Sequence, residues 1–223
     1  LKLAALFTGG KDSTYAIQLA RSMGHEISFL VTVEPESSSS YMFHYPNVMF
    51  TALQAESMGI KQITTKTSGE KEAELADLRR LLEQVRSEIE GVLSGAMASS
   101  YQRTRVQRLC SELGLQAVSP LWGRDPLGVL EELLDNRFEV VVTAVSAAGL
   151  DERWLGRTLD RDAVEELGLL WRTVGVHPCG EGGEFETFVL SCPLFSRRVV
   201  IAESVKEWFG DRGILRIKSA RLA

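Results

Sequence analysis

The stretch KLAALFTGGKDSTYAIQLARSMG, residues 2–24, decides the fold. Residues 2–7 (KLAALF) are a short apolar run with glycines close behind. Ala16, Leu19, Ala20 and Met23 then share one helical face until Gly24 ends it. The pattern is strand, glycine turn, helix, and it continues outward. Residues 27–33 (ISFLVTV) form a β-branched strand leading into a loop with Pro35 and serines at 37–40. Helical spacing returns at 47–58 and at 70–86, where Leu75, Leu78, Leu82 and Val85 recur, with strands expected near 60–65 and 90–95. A helix over 100–113 groups Val106, Leu109, Cys110 and Leu113, which places Cys110 in the core; further strands fall near 115–118 and 138–145. A chain that returns through a helix re-enters its sheet in the same direction, so the expected fold is α/β, a doubly wound parallel sheet. After about residue 147 the rhythm changes to one helix (161–172) and strand-like runs at 185–190, 197–202 and 213–219. The expected division is a nucleotide-type domain over 1–147 and a small C-terminal α+β domain over 148–223.

Composition narrows the function classes. The 223 residues are 44% hydrophobic and 25% charged, and a formal net charge of -5 argues against a protein that coats nucleic acid. Small molecules or proteins are the expected substrates, with no direct nucleic-acid contact. No apolar run approaches the roughly 18 residues needed to span a bilayer, and no leader is visible, so no membrane partner and a cytoplasmic location are expected. Cys110, Cys179 and Cys192 are too scattered for a disulfide framework or a Cys-x-x-Cys site. Self-association into a homo-oligomer is left open.

In a doubly wound sheet the first strand-to-helix turn is an anion site, and Thr8-Gly9-Gly10-Lys11-Asp12-Ser13 occupies it. Gly9 and Gly10 permit close backbone approach to phosphate, and the helix N-terminus adds unpaired N–H groups. Lys11 adds a cation, Asp12 can hold Mg²⁺, and Thr8 and Ser13 supply hydroxyls. A tight turn with a capped helix would need no ligand. Neither G-x-x-x-x-G-K-[ST] nor G-x-G-x-x-G is present. The six residues resemble the S-G-G-x-D-S loop of the N-type ATP pyrophosphatases, with Thr8 keeping the hydroxyl of the first serine. That resemblance implies a sheet of the adenine nucleotide alpha hydrolase type, ATP with Mg²⁺ as cofactors, and cleavage between the α and β phosphates. It also implies adenine contacts near the ends of the second and fourth strands, around Val33 and Gly95.

Further segments resemble one family within that superfamily. Gly180-Glu181-Gly182-Gly183-Glu184-Phe185-Glu186-Thr187 is similar to the G-E-G-G-E-F-E-T signature of the diphthine–ammonia ligases. Ser40-Tyr41-Met42-Phe43-His44, Tyr101-Gln102-Arg103 with Arg105, Trp122-Gly123-Arg124-Asp125, Leu150-Asp151 and Trp154-Leu155-Gly156-Arg157 also resemble family segments. The resemblance runs to about residue 195. It implies that a diphthine carboxylate on translation elongation factor 2 attacks ATP to give an acyl-adenylate and pyrophosphate, and that ammonium-derived ammonia displaces AMP to leave an amide.

The residues themselves bear on these roles. Glu181, Glu184, Glu186 and Thr187 around Gly182 and Gly183 make a polar turn suited to a metal, an ammonium ion or ribose hydroxyls, with Phe185 and Val189 on the buried face; a solvated acidic hairpin tip would need no ligand. The expected catalytic residues are Lys11, Asp12, Glu184 and Glu186. Thr8 to Ser13, Val33, Gly95 and Arg103 are expected to hold the nucleotide, with Arg105 sharing the claim on phosphate. Tyr41, His44, Trp122 and the segment Glu181 to Thr187 are expected to meet the substrate. Because diphthine carries a quaternary ammonium, Tyr41, Tyr45, Trp122 and Trp154 are candidates for an aromatic cage; packing between domains is the alternative. Cys179 and His177 receive no role. RNA thiolation, which asks for reactive cysteine pairs, and a non-catalytic nucleotide sensor are the competing functions.

Overall fold

Strand β1 (Lys2–Leu6) divides its side chains between two cores. Leu3 and Ala5 enter one hydrophobic cluster, while Ala4 and Leu6 face the other, the period-two alternation of a strand covered on both faces. The computed structural model describes residues 1–35, 47–68 and 71–223. Within them β1 is followed by α1 (Lys11–Ser22), β2 (Glu26–Pro35), α2 (Thr51–Met58), β3 (Lys61–Thr67), α3 (Lys71–Val85), β4 (Gly91–Leu93), α4 (Ser100–Leu113) and β5 (Gln116–Val118). The five strands form one sheet in the order β3-β2-β1-β4-β5, and every neighbouring pair is parallel. This is the doubly wound α/β arrangement expected from the alternation. The strand order reverses between β1 and β4, so the crevice at their carboxyl ends is where the topology places a ligand. Helices α3 and α4 cover one face through Leu81, Leu82, Val85, Val106, Leu109 and Cys110.

The other face is covered by α1, α2 and a second unit. This unit contains α5 (Pro126–Asp135), β6 (Glu139–Val145), α6 (Arg161–Val174), β7 (Phe185–Ser191), β8 (Val199–Trp208) and β9 (Gly213–Leu222). Its sheet has the order β7-β6-β9-β8, and its pairs are antiparallel. The strand expected at 138–145 is therefore present but does not join the parallel sheet: it pairs with β7 and β9 instead. A division at 147 runs between β6 and β7, through the middle of this sheet. Alternation of helix and strand gives the direction of return only if the chain returns to the same sheet, and after α5 it does not. Helix α5 itself is missing from the sequence reading. Its local signals are Asp125, whose carboxylate accepts the Gly128 N–H at 2.7 Å, and Pro126 in the first turn.

The two sheets share one core. Leu3, Phe7, Ile17 and Leu93 belong to the same buried cluster as Val140, Val142, Phe188 and Ile217. Gln54 of α2, fully buried, ties the sheets directly: its Nε2 donates to the carbonyls of Gly9 (3.0 Å) and Val189 (2.7 Å). Removing it takes a donor from each of two buried carbonyls, of which Gly9 keeps the bond from the Val189 N–H, at a cost of about 1–3 kcal/mol for the loss. Gln54→Ala is expected to lower the unfolding free energy by about that amount, with both sheets melting in one transition; chemical denaturation followed by circular dichroism measures it.

Candidate active site

Gly10 precedes α1 and has no side chain with which to cap it. The cap comes from the other sheet: Thr187 Oγ1 on β7 accepts the Lys11 N–H at 3.1 Å. A Cβ on Gly10 would lie 3.2 Å from the Thr187 carbonyl oxygen, so glycine eases this close approach. The Val189 N–H donates to the Gly9 carbonyl at 2.9 Å, and Gly9 takes a φ of +79° that only glycine accepts readily. Thr8 Oγ1 and Ser13 Oγ lie 3.2 Å apart across the turn, and Ser13 Oγ donates to the Gly10 carbonyl. From β4 the backbone arrives equally close: a Cβ on Gly95 would sit 2.8 Å from both the Asp12 carbonyl carbon and the Ser13 nitrogen.

These elements frame a cavity of about 420 Å³ at the carboxyl ends of β1, β2 and β4, a size suited to a small ligand. Its polar end is formed by Thr8, Asp12, Ser13, Ser94 and Gly95, and its apolar end by Val31, Val33, Leu75, Leu78 and Val106. Glu181, Gly182, Gly183 and Glu186 line it from the second unit, and Tyr101, Gln102 and Arg105 from the start of α4.

Lys11 does not face this cavity. Its side chain is 2% exposed, and Nζ donates to the Cys179 carbonyl (2.5 Å) and to Asp12 Oδ2 (2.9 Å), above the Phe185 ring at 5.0 Å. Burial opposes its charge, but Asp12 outweighs this and the pKa is raised. Lys11 thus pins β7 and the 179 loop to α1. Asp12 keeps 28% of its side chain exposed, while its Oδ1 is buried with no hydrogen-bond partner. Burial raises its pKa against the pull of Lys11. An orphaned carboxylate oxygen at the rim of an anion site fits a hard cation accompanied by phosphate oxygens. Among the described residues no cluster of three or more His, Cys, Asp or Glu side chains can hold a metal alone.

The three glutamates of the acidic segment have different fates. Glu181 Oε1 accepts three consecutive N–H groups just ahead of α4, from Met97 (2.6 Å), Ala98 (2.8 Å) and Ser99 (3.1 Å), and so clasps the two units together across the cavity. Glu184 turns into its own loop, accepting from His177 N–H (3.1 Å) and Gly182 N–H (2.8 Å), and does not line the cavity. Glu186 alone of the three makes no hydrogen bond among the described residues and points into the cavity. Burial pushes its pKa up from 4.5 to about 7, opposed by Lys11 and aided by Asp12 and Glu181.

Arg105, not Arg103, lines the cavity. Arg103 stacks on Trp122, 4.3 Å from its ring centroid, and neither of them borders the cavity. Trp154 is 1% exposed beneath Arg157, which removes it from any aromatic cage; the packing alternative holds for it. Tyr41, His44 and Tyr45 lie outside the described residues. The Cys179 thiol is buried, donates to the Pro126 carbonyl and is pushed up to about 12, chiefly by burial, so it offers no nucleophile near neutrality. Cys110 is in the core, as expected. The sequence reading missed the apolar slot of Leu75, Leu78 and Val106, whose residues carry helical spacing and read there only as core, and it missed Glu74 beside them.

Fold and loop together define a PP-loop nucleotide-binding protein of the α/β class. Residues 1–117 match the model of the diphthamide synthase N-terminal domain and residues 125–223 that of its C-terminal domain. The chain belongs to the diphthamide synthase family. It is 34% identical to the human diphthine–ammonia ligase over 226 residues, covering 92% of this chain and 84% of that one. The Schizosaccharomyces pombe diphthine–ammonia ligase is 33% identical over 98% of this chain but extends well beyond it, the match covering 39% of its length. A solved structure described as a predicted subunit of tRNA methyltransferase from Methanocaldococcus jannaschii covers 86% of this chain and 98% of its own, at a TM-score of 0.43 and 16% identity. That likeness is too loose to bear on function.

Two outcomes follow from this geometry. A methyl group at Gly95 has only backbone to displace, so Gly95→Ala is expected to lower the unfolding free energy by about 1–3 kcal/mol, read by chemical denaturation. Glu186 has a raised folded-state pKa, so its contribution to stability is present below about pH 4.5 and is lost as pH rises through about 7. Glu186→Gln should therefore melt higher than wild type at pH 8, with the gap closing by pH 4; a gap independent of pH would contradict the burial of an ionised Glu186.

Proposed function

We propose that this protein is an ATP-dependent ligase that converts the diphthine carboxylate of elongation factor 2 to an amide with ammonium, releasing AMP and pyrophosphate. The supporting observation is the cavity whose phosphate-type polar end and apolar end are bridged by the acidic segment of the second unit. In this reading the adenine occupies the slot between Val33 and Leu78, and the phosphates lie against Thr8, Ser13 and the backbone at Gly95. Asp12, whose Oδ1 has no hydrogen-bond partner, would hold Mg²⁺, which would supply charge neutralisation. The protein's own contribution is orientation: glycine backbone that lets phosphate approach, an α1 N-terminus aimed at it, and a second sheet that closes one side. Arg105, at the cavity wall, adds positive charge to the nucleotide side, a part expected of Arg103.

The family relationship carries the substrate assignment, since the relatives above are named diphthine–ammonia ligases. Elongation factor 2 bearing diphthine is the partner, ammonium the nitrogen source, and the cytoplasm the compartment. Among the described residues no helix is long and apolar enough to cross a membrane. RNA thiolation is disfavoured by cysteines that are all buried, each thiol pushed up to about 11 or 12.

Incubating the protein with ATP, Mg²⁺, ammonium and diphthine-bearing elongation factor 2 is expected to yield AMP and pyrophosphate in equal amounts with amide on the factor. Chromatography of the nucleotides and mass spectrometry of the modified peptide give both readouts. ADP in place of AMP would sink the adenylation step, and AMP without amide would sink the substrate assignment.

A further inference from the structure

Ammonium, the form in which the nitrogen arrives at neutral pH, has no lone pair with which to attack an acyl group, so a ligase using it must strip a proton before the carbon–nitrogen bond forms. Among the carboxylates of the acidic segment, Glu181 takes three N–H groups on one oxygen, Oε1, and Glu184 accepts one on each oxygen within its own loop. Asp12 is paired with Lys11. Glu186 is left over. It stands on β7 between Phe185, which lies under the Lys11 ammonium, and Thr187, which caps α1. Its carboxylate therefore opens into the cavity within a residue of the contact that fixes the first turn of α1.

Resting on the ligase activity proposed above, we propose that Glu186 is the base that takes a proton from ammonium inside the cavity, generating the ammonia that attacks the acyl-adenylate. The groups facing it suit this role. Asp12 from α1 and Glu181 from the preceding loop are negative and draw a small cation inward, while the Lys11 ammonium is turned away and held by the Cys179 carbonyl and Asp12. Glu74 on α3 and Arg105 on α4 face the same cavity from its other wall. A carboxylate brought to about 7 by burial is a stronger base than an exposed one and is still ionised in half or more of the molecules above that pH.

One N–H proton of ammonium passes to a Glu186 carboxylate oxygen, and the freed lone pair forms the bond to the acyl carbon. The carbon–oxygen bond to AMP then breaks, and AMP leaves with that electron pair. The second proton, shed by the new nitrogen centre as the amide forms, goes to solvent, and Glu186 returns its own proton to solvent for the next turnover.

Hydroxylamine separates the role of Glu186 from any structural one, because it is mostly unprotonated at neutral pH and attacks acyl-adenylates without help. Wild type and Glu186→Gln are compared, with diphthine-bearing elongation factor 2 and ATP, for amide formation from ammonium and for hydroxamate formation from hydroxylamine. Glu186→Gln is expected to lose about 10²-fold or more of the ammonium-dependent rate, to keep hydroxamate formation within a few-fold of wild type, and to regain amide formation as free ammonia increases at alkaline pH. Equal loss with both nucleophiles, or no loss with ammonium, overturns the role while leaving the ligase activity standing. Wild-type protein that forms neither product overturns the activity and the role with it.

Discussion

The N–H of Lys11 bonded to Thr187 Oγ1 is the contact on which the rest of the site depends. Helix α1 begins at a glycine that offers no cap, so the donor at its first turn must be satisfied from elsewhere, and it is satisfied by the second sheet. Gly10 lets β7 come close, since a Cβ there would press on the Thr187 carbonyl, and the contact holds β7 against the glycine loop together with the Gly9–Val189 bond and the Gln54 bridge. Once β7 is fixed there, its alternation puts Phe185 and Thr187 into the interface and Glu186 into the cavity. Lys11 then serves the structure, its ammonium holding the 179 loop, while Arg105 is the arginine that lines the cavity.

The acidic segment shows how neighbouring residues of one type acquire different chemistry. Glu181 accepts the N–H groups just ahead of α4 and works as a clasp, Glu184 shapes its own loop, and Glu186 faces the cavity half-buried, with no hydrogen-bond partner among the described residues. Hydrogen bonds to the ionised form hold the first two, whereas desolvation only partly offset by Lys11 brings the third to about 7, a value suited to proton transfer. The division follows from where each backbone amide lies, and identity alone does not encode it.

Much of the fold was legible from periodicity. The strands of the parallel sheet and helices α1, α3 and α4 fall within a residue or two of where apolar spacing put them. The sheet to which β6 belongs was not legible, because strand pairing is a long-range choice that local pattern does not record. The glycine loop was legible as a tight turn opening a helix because φ freedom and position after the first strand are both local properties. The side-chain directions of Lys11, Arg103 and Glu184 were not, since each is settled by contacts that periodicity does not record: the Cys179 carbonyl for Lys11, Trp122 for Arg103, and the N–H groups of its own loop for Glu184. Residues 36–46, with Tyr41 and His44, contribute nothing to this comparison because they lie outside the described residues.

The central claim is that the cavity between the glycine loop and β7 brings a substrate carboxylate to the α-phosphorus of ATP. Labelling the diphthine carboxylate oxygens with ¹⁸O and following the label into products tests it directly. The account predicts one labelled oxygen in the AMP phosphate for each amide formed. Label retained wholly in the modified protein, or found in pyrophosphate, would contradict it.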